Sequence, residues 1–348
     1  MSEPPERRTL ELVSIPSPTA HEEELCARVE AWARDRDGGA TLRRWRNCLT
    51  VQAPPTGRPA VGLFGHLDTV APSHDQPLGI QDGRVYGCGA SDMKAGLALM
   101  MQAWEERDRW DADLVLVFYD REEGPSEDNG LAVILPELPA MDLAVVLEPT
   151  DNQVQLGCVG SLHARVTFSG RRAHSARPWQ GENALFKAIP LLQRLERMQP
   201  RAVEVDGLTF YEVVTPTTAV TGNSRNVVPD RFELNVNYRF APGRTPAEAR
   251  VELAELVGTQ AHLEVLDVAP AGDVCSRHPR VSEWIARGHL GTQPKQAWTD
   301  VARLTAAGIP AVNFGPGDPG QAHQAREHVT VDALYRGYEL LSLLLLSS

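Results

Sequence analysis

Two hydrophobic rhythms divide the chain. Before residue 160, short uninterrupted apolar runs alternate with segments of helical spacing. AVGLFG (60–65), DLVLVFY (113–119) and MDLAVVLE (141–148) are bounded by polar loops, and each predicts a strand buried on both faces. EEELCARVEAWARD (22–35) puts Leu25, Val29 and Trp32 on one helical face. DMKAGLALMMQAWEER (92–107) predicts a second helix, with Ser91 as its cap. Buried strands separated by helices predict a mostly parallel sheet covered on both faces.

From residue 160 the pattern becomes strict alternation. In SLHARVTFSG, Leu162, Ala164, Val166 and Phe168 share one face, as do Phe232, Leu234, Val236, Tyr238 and Phe240 in RFELNVNYRF. A helix over 182–198 carries Pro190, which predicts a kink or break there. A later helix has Thr245 as cap and Glu248 completing a capping box. The order β-α-β-β-α-β is the ferredoxin-like split pattern. AVNF (311–314) resumes the first rhythm, and the apolar tail LLSLLLL predicts a final helix docked on the core. The fold expected is α/β: a mostly parallel sheet domain over 1–159 and 272–348, with an inserted ferredoxin-like α+β domain over 160–271.

Length agrees with two domains, since 348 residues exceed one ordinary core. A net charge of −12 repels phosphate backbones and argues against nucleic-acid binding. No apolar stretch approaches the ~20 residues of a membrane span, and the start, MSEPPERRTLEL, lacks the basic and apolar halves of a secretory signal. Five scattered cysteines without a C-x-x-C pair fit reduced thiols in a cytoplasm.

The chemistry gathers where the predicted strands end. His66 and Asp68 follow the first run, Glu122 and Glu123 the second, Glu148 the third and His323 the last, while Asp92 opens a helix. Ligand sites of open parallel sheets form at the carboxyl ends of their strands. Imidazoles and carboxylates converging there suit two divalent ions, zinc or a similar borderline metal. In H-x-D, alternate residues share a side, so Asp68 is placed to orient the His66 ring. Glu122 and Glu123 are neighbours that point opposite ways. One is expected to bind metal while the other serves as the general base of a metallohydrolase. Arg239, on the outward face of its strand, is placed to grip an anionic substrate with two hydrogen bonds. His163, His262, His278 and His289 read as structural or surface residues.

GHLDTV, GCGASDMKAG, the Glu122–Glu123 pair, LEPT, GRRAHSARPWQGENA and GPGDPGQAHQARE together resemble the motifs of the dinuclear-zinc aminoacylase/carboxypeptidase family, in order and spacing over almost the whole chain. The resemblance implies one zinc held by His66 and Glu148, a second by Glu123 and His323, and Asp92 bridging them, with Co2+ or Mn2+ able to substitute. It implies Asp68 as the residue orienting His66 and Glu122 as the base. It makes the inserted domain a dimerisation or lid domain and sends His174 into the partner subunit's active site. Asn226 and Thr299 join Arg239 as substrate-binding candidates by motif position. The stretches GCVGSLHA, FYDREE and NVVPD are most similar to members that remove succinate from an amino-acid amine, here N-succinyl-LL-2,6-diaminopimelate. Acetylornithine, another acyl-amino acid or a dipeptide remain alternatives.

Overall fold

The computed structural model describes residues 3–36, 38–73 and 76–346. Contacts divide the chain into two compact units: Met1–Gly157 with Cys275–Gln293 and Arg303–Ser348, and Cys158–Val274 with Pro294–Ala302. The short return of Pro294–Ala302 to the second unit, which the sequence rhythm groups with the first, has a local cause. Its backbone and side chains bond there: Val159 N–H to the Lys295 carbonyl at 3.2 Å, Trp298 Nε1 to the Pro270 carbonyl at 3.1 Å, and Gln296 to both backbone groups of Tyr211.

The first unit is built on an eight-stranded sheet. Its order is Thr41–Trp45, Cys48–Gln52, Asp113–Tyr119, Ala60–His66, Leu143–Val146, Ala311–Asn313, Val154–Leu156, Thr292–Pro294. The four middle strands, from Asp113–Tyr119 to Ala311–Asn313, run parallel. All seven residues of Asp113–Tyr119 are buried, as expected of a strand covered on both faces. An antiparallel hairpin, Thr41–Trp45 with Cys48–Gln52, makes the sheet mixed.

Helix Glu23–Asp35 buries Leu25, Val29 and Trp32. Helix Val331–Leu345 starts at a Thr330 cap and buries Leu340, Leu341, Leu344 and Leu345. The helix expected from residue 92 instead begins at Ala95. Before it, Ala90–Lys94 forms a single wide turn in which Asp92 (φ −120°, ψ 94°) and Met93 (φ −133°, ψ 35°) leave helical geometry, and the Asp92–Met93 peptide is cis. Ser91 does not cap; its hydroxyl donates to the Asp318 carbonyl at 2.8 Å. Gly96 lets the helix press onto the next strand end. A Cβ there would stand 2.4 Å from the Leu147 carbonyl oxygen, next to Glu148.

In the second unit, a five-stranded antiparallel sheet has the order Arg201–Val205, Leu208–Val220, Arg231–Phe240, Gly160–Ser169, His262–Ala269. The last four strands with helices Ala184–Arg197 and Pro246–Val257 form the ferredoxin-like core, and Arg201–Val205 adds an edge. The alternating positions from Leu162 to Phe168 and from Phe232 to Phe240 pack together beneath the helices. The Thr245–Glu248 capping box is present. Pro190 does not break its helix, which runs through it. Pro190 and Phe186, whose carbonyl loses its N–H partner, both lie on the exposed face, where water can bond that carbonyl.

A charged cluster ties this sheet to helix Pro246–Val257. Glu212, buried, accepts hydrogen bonds from Arg201, from Arg244 Nε (2.9 Å) and from the Ala241 N–H (2.9 Å). Glu252 bonds the same two arginines at 2.8 Å each and accepts the Tyr238 hydroxyl at 2.7 Å. Burial works against the Glu212 charge, but these donors hold its carboxyl below the ordinary glutamate range.

Candidate metal centre

Four strand ends and one turn bring the centre together in the first unit. His66 is the last residue of its strand. Glu122 and Glu123 follow strand Asp113–Tyr119 through Arg121, which takes a left-handed conformation (φ 58°). Glu148 lies just past Leu143–Val146, and His323 (φ 62°) sits in the loop after Ala311–Asn313. Asp92 comes from the irregular turn.

Asp92 stands between two sets of donors. Its Oδ1 is 3.2 Å from His66 Nε2, and that same nitrogen is 4.0 Å from Glu148 Oε1. Its Oδ2 is 3.8 Å from His323 Nε2, which lies 2.8 Å from Glu123 Oε1. Ligating atoms of His66, Asp92 and Glu123 all fall within 4.8 Å of one another. His328, the rival to His323, instead stacks on Tyr86 at 5.2 Å.

Asp68 organises the rest. It is fully buried. Its Oδ1 accepts the Glu122 N–H at 2.9 Å, and its Oδ2 accepts the Glu123 N–H at 3.0 Å and the Thr19 hydroxyl at 3.0 Å. His66 Nδ1 lies 3.0 Å from the Asp68 carbonyl and 3.5 Å from its carboxylate. The shorter contact makes the backbone carbonyl the main partner. Burial opposes the Asp68 charge, but His66 and the two N–H groups hold its pKa down. One residue therefore fixes the His66 ring and the spacing of both glutamates.

The donors fit divalent ions. Oxygen and imidazole nitrogen are the ligands zinc takes. The acids also crowd one another: burial and the Asp92 charge push the Glu123 carboxyl up, against the pull of His66 and His323. A cation among them relieves both effects.

Sequence reasoning assigned no role to two supports. Glu327 is buried and accepts three backbone N–H groups, from Gly89 (2.8 Å), Ser91 (2.8 Å) and Asp92 (2.9 Å). Burial pushes its pKa up to about 7, the three bonds pull against this, and the Asp92 charge adds to the rise. It holds the Asp92 turn in shape. Arg46, in a left-handed conformation, forks onto the buried Asp120 (Nε–Oδ2 2.6 Å) and fixes the base of the Glu122–Glu123 loop. Both sit in stretches whose polarity matches any solvated loop, so only partners remote in sequence reveal them.

The remaining predicted residues lie in the second unit. His174 and Asn226 are adjacent, because Ala173–His174 pairs with Val227–Val228 and the Ser175 N–H bonds the Asn226 carbonyl at 2.9 Å. The exposed His174 ring accepts the Ala176 N–H at Nδ1 (3.0 Å), leaving Nε2 as its outward N–H. Arg239 is half-buried, and among the described residues it has no acidic partner; burial lowers its pKa. The buried Thr299 receives the Cys158 thiol on its carbonyl at 3.6 Å.

Acids gathered at strand ends around imidazoles, on a mixed α/β sheet, define a metal-dependent hydrolase rather than a binding module. Residues 62–347 match the profile described as peptidase family M20/M25/M40, and the chain belongs to that family. It is 36% identical to the succinyl-diaminopimelate desuccinylase of Corynebacterium glutamicum over 338 residues, 94% of this chain and 92% of that one. It is 30% identical to the acetylornithine deacetylase of Myxococcus xanthus over 304 residues, 81% and 78% of the two chains. Among solved structures, a tripeptidase of Staphylococcus aureus matches with a TM-score of 0.81 over 98% of this chain and 97% of that one, at 20% identity, a likeness of fold. No helix of the described residues is long and apolar enough to cross a membrane.

Proposed function

We propose that this chain hydrolyses N-succinyl-LL-2,6-diaminopimelate to succinate and LL-2,6-diaminopimelate, a step of lysine biosynthesis in the cytoplasm, with two zinc ions per chain. One observation carries the reading: the near full-length identity to the Corynebacterium desuccinylase, supported by the grouping of His66, Asp92 and Glu123. His66 and Glu148 would hold one zinc, Glu123 and His323 the other, and Asp92 both, since its two oxygens face the two sets. Bound zinc supplies Lewis acidity and a water whose pKa falls to about 7. Glu122, spaced from Glu123 by Asp68, takes the proton of the attacking water and returns it to the departing amine. Arg239 receives a carboxylate of the substrate, aided by Asn226 and Thr299.

Steady-state kinetics with succinyl-diaminopimelate beside acetylornithine test the reading. Turnover of the first and none of the second at matched concentrations is expected. The reverse order overturns the substrate assignment and leaves the hydrolase class intact.

The inserted unit is the natural seat of a homodimer. Its helix Ala184–Arg197 leaves Leu185, Phe186 and Ile189 exposed, and Trp179 just before it is 75% exposed. Across that dimer, His174 Nε2–H would donate to the oxygen of the amide under attack. Random mixing of Glu122→Gln and His174→Ala subunits should then restore about a quarter of wild-type activity, because half of the dimers are mixed and two-fold symmetry leaves each of those one intact site. No regain after proven subunit exchange rules the crossing out.

A further inference from the structure

The outward face of the second unit's sheet carries a chain of side chains that ends at Arg239. Arg239 Nε donates to Asn237 Oδ1 at 2.9 Å. Asn237 Nδ2 lies 3.2 Å from the Leu162 carbonyl and 3.0 Å from His163 Nε2. Asn235 Nδ2 lies 3.2 Å from His163 Nδ1 and 2.6 Å from Thr217 Oγ1.

Hydrogen-bond chemistry fixes the direction of this chain. A guanidinium only donates and a carbonyl only accepts. Asn237 must therefore turn its oxygen to Arg239 and its nitrogen to Leu162. The same nitrogen then faces His163 Nε2, so that ring nitrogen has to accept. The proton of the neutral ring then sits on Nδ1, and the Asn235 amide, placed with its nitrogen there, must be reversed so that its oxygen accepts from Nδ1–H and from the Thr217 hydroxyl. A His163 protonated at Nε2 would set two donors against each other and push Asn237 off Arg239.

We propose that His163, as the neutral Nδ1–H tautomer, is a positioning residue for Arg239: through Asn237 it pins the Nε edge and leaves the two terminal nitrogens free to take a substrate carboxylate end-on. This rests on the reading of Arg239 as the carboxylate anchor. The surroundings agree with a neutral ring. Burial and the Arg239 charge lower the His163 pKa, against the opposing charge of Asp267 on the next strand.

The test uses the metal-loaded enzyme and N-succinyl-LL-2,6-diaminopimelate. His163→Ala should raise KM about tenfold, the scale of one hydrogen bond, with kcat and zinc content unchanged. His163→Gln, whose amide oxygen can stand where Nε2 accepts, should restore KM. Arg239→Ala should raise KM about 10²-fold, and adding His163→Ala to it should change nothing further. If Arg239→Ala raises KM and His163→Ala does not, the positioning role is wrong and the anchor stands. If Arg239→Ala leaves KM unchanged, the anchor itself falls and takes this role with it. Nitrogen-15 correlation spectra of the wild type read the tautomer directly. An Nε2–H ring or an imidazolium at neutral pH would overturn the assignment whatever the variants do.

Discussion

Two acid clusters in this chain invite comparison. In the second unit, Glu212 and Glu252 share Arg201 and Arg244, so their countercharge is built into the fold. In the first, Asp92, Glu123 and Glu148 face His66 and His323, rings that carry charge only when protonated. Burial is similar in kind, yet the outcomes differ. The Ala241 N–H and the two arginines hold the Glu212 carboxyl below its ordinary range against burial, while burial and the Asp92 charge push the Glu123 carboxyl above it. A carboxylate cluster that brings its own guanidinium groups is a structural rivet. One that brings imidazoles is a socket for ions from solution.

Removing metal should break the symmetry most sharply. Chelation is expected to abolish activity and lower the melting temperature. Zinc at about 1,000 times its Kd should restore activity and about 4 kcal/mol of stability. Calorimetry checks this, and a melting temperature indifferent to chelator would remove the distinction between the clusters.

Next in size is Glu122→Gln, which should cut kcat by about 10²–10⁴ while elemental analysis still finds both metals. Loss of a metal in this variant, with activity kept in Glu123→Gln, would reverse the pair.

Glu212→Ala leaves two arginines against one carboxylate in a partly buried setting. It should cost about 3–5 kcal/mol of stability in denaturant without changing metal content. The pH dependence has a definite sign. Because the folded pKa of Glu212 lies below the ordinary 4.5, its contribution is full above that value and is lost as pH falls through the folded pKa. A wild-type acid unfolding curve matching that of Glu212→Gln would show that the cluster is no rivet.

The smallest effect belongs to Glu327→Gln. The amide oxygen keeps some of the three N–H bonds, so metal affinity should fall by about 10–100-fold with the fold intact. Unchanged affinity in a zinc competition titration would mean the Asp92 turn holds its shape alone.

The sequence disclosed what is periodic and what is local. Alternation located the strands Gly160–Ser169 and Arg231–Phe240 of the second unit, apolar runs located the parallel strands, and Thr245 with Glu248 announced a helix start. The candidate donors were legible because all but Asp92 follow a strand end, a one-dimensional signal of a three-dimensional convergence. Non-local bonds stayed hidden. The Asp92 turn refuses helical geometry because Glu327, 235 residues away, takes its N–H. The hairpin Thr41–Gln52 was unread because its turn uses Arg46 in a left-handed conformation, where glycine or asparagine is the usual sign. That arginine is there for Asp120.

The junction at Asp68 shapes what this enzyme can become. Thr19, His66, Glu122 and Glu123 all meet one carboxyl group or its carbonyl. A substitution there moves the His66 ring and both glutamates at once, so no single change can retune one of them and spare the others. Descendants of such a sequence are free to explore new substrates only through residues outside that knot. Inherited chemistry is thereby locked to a frame, while inherited preference stays open to drift.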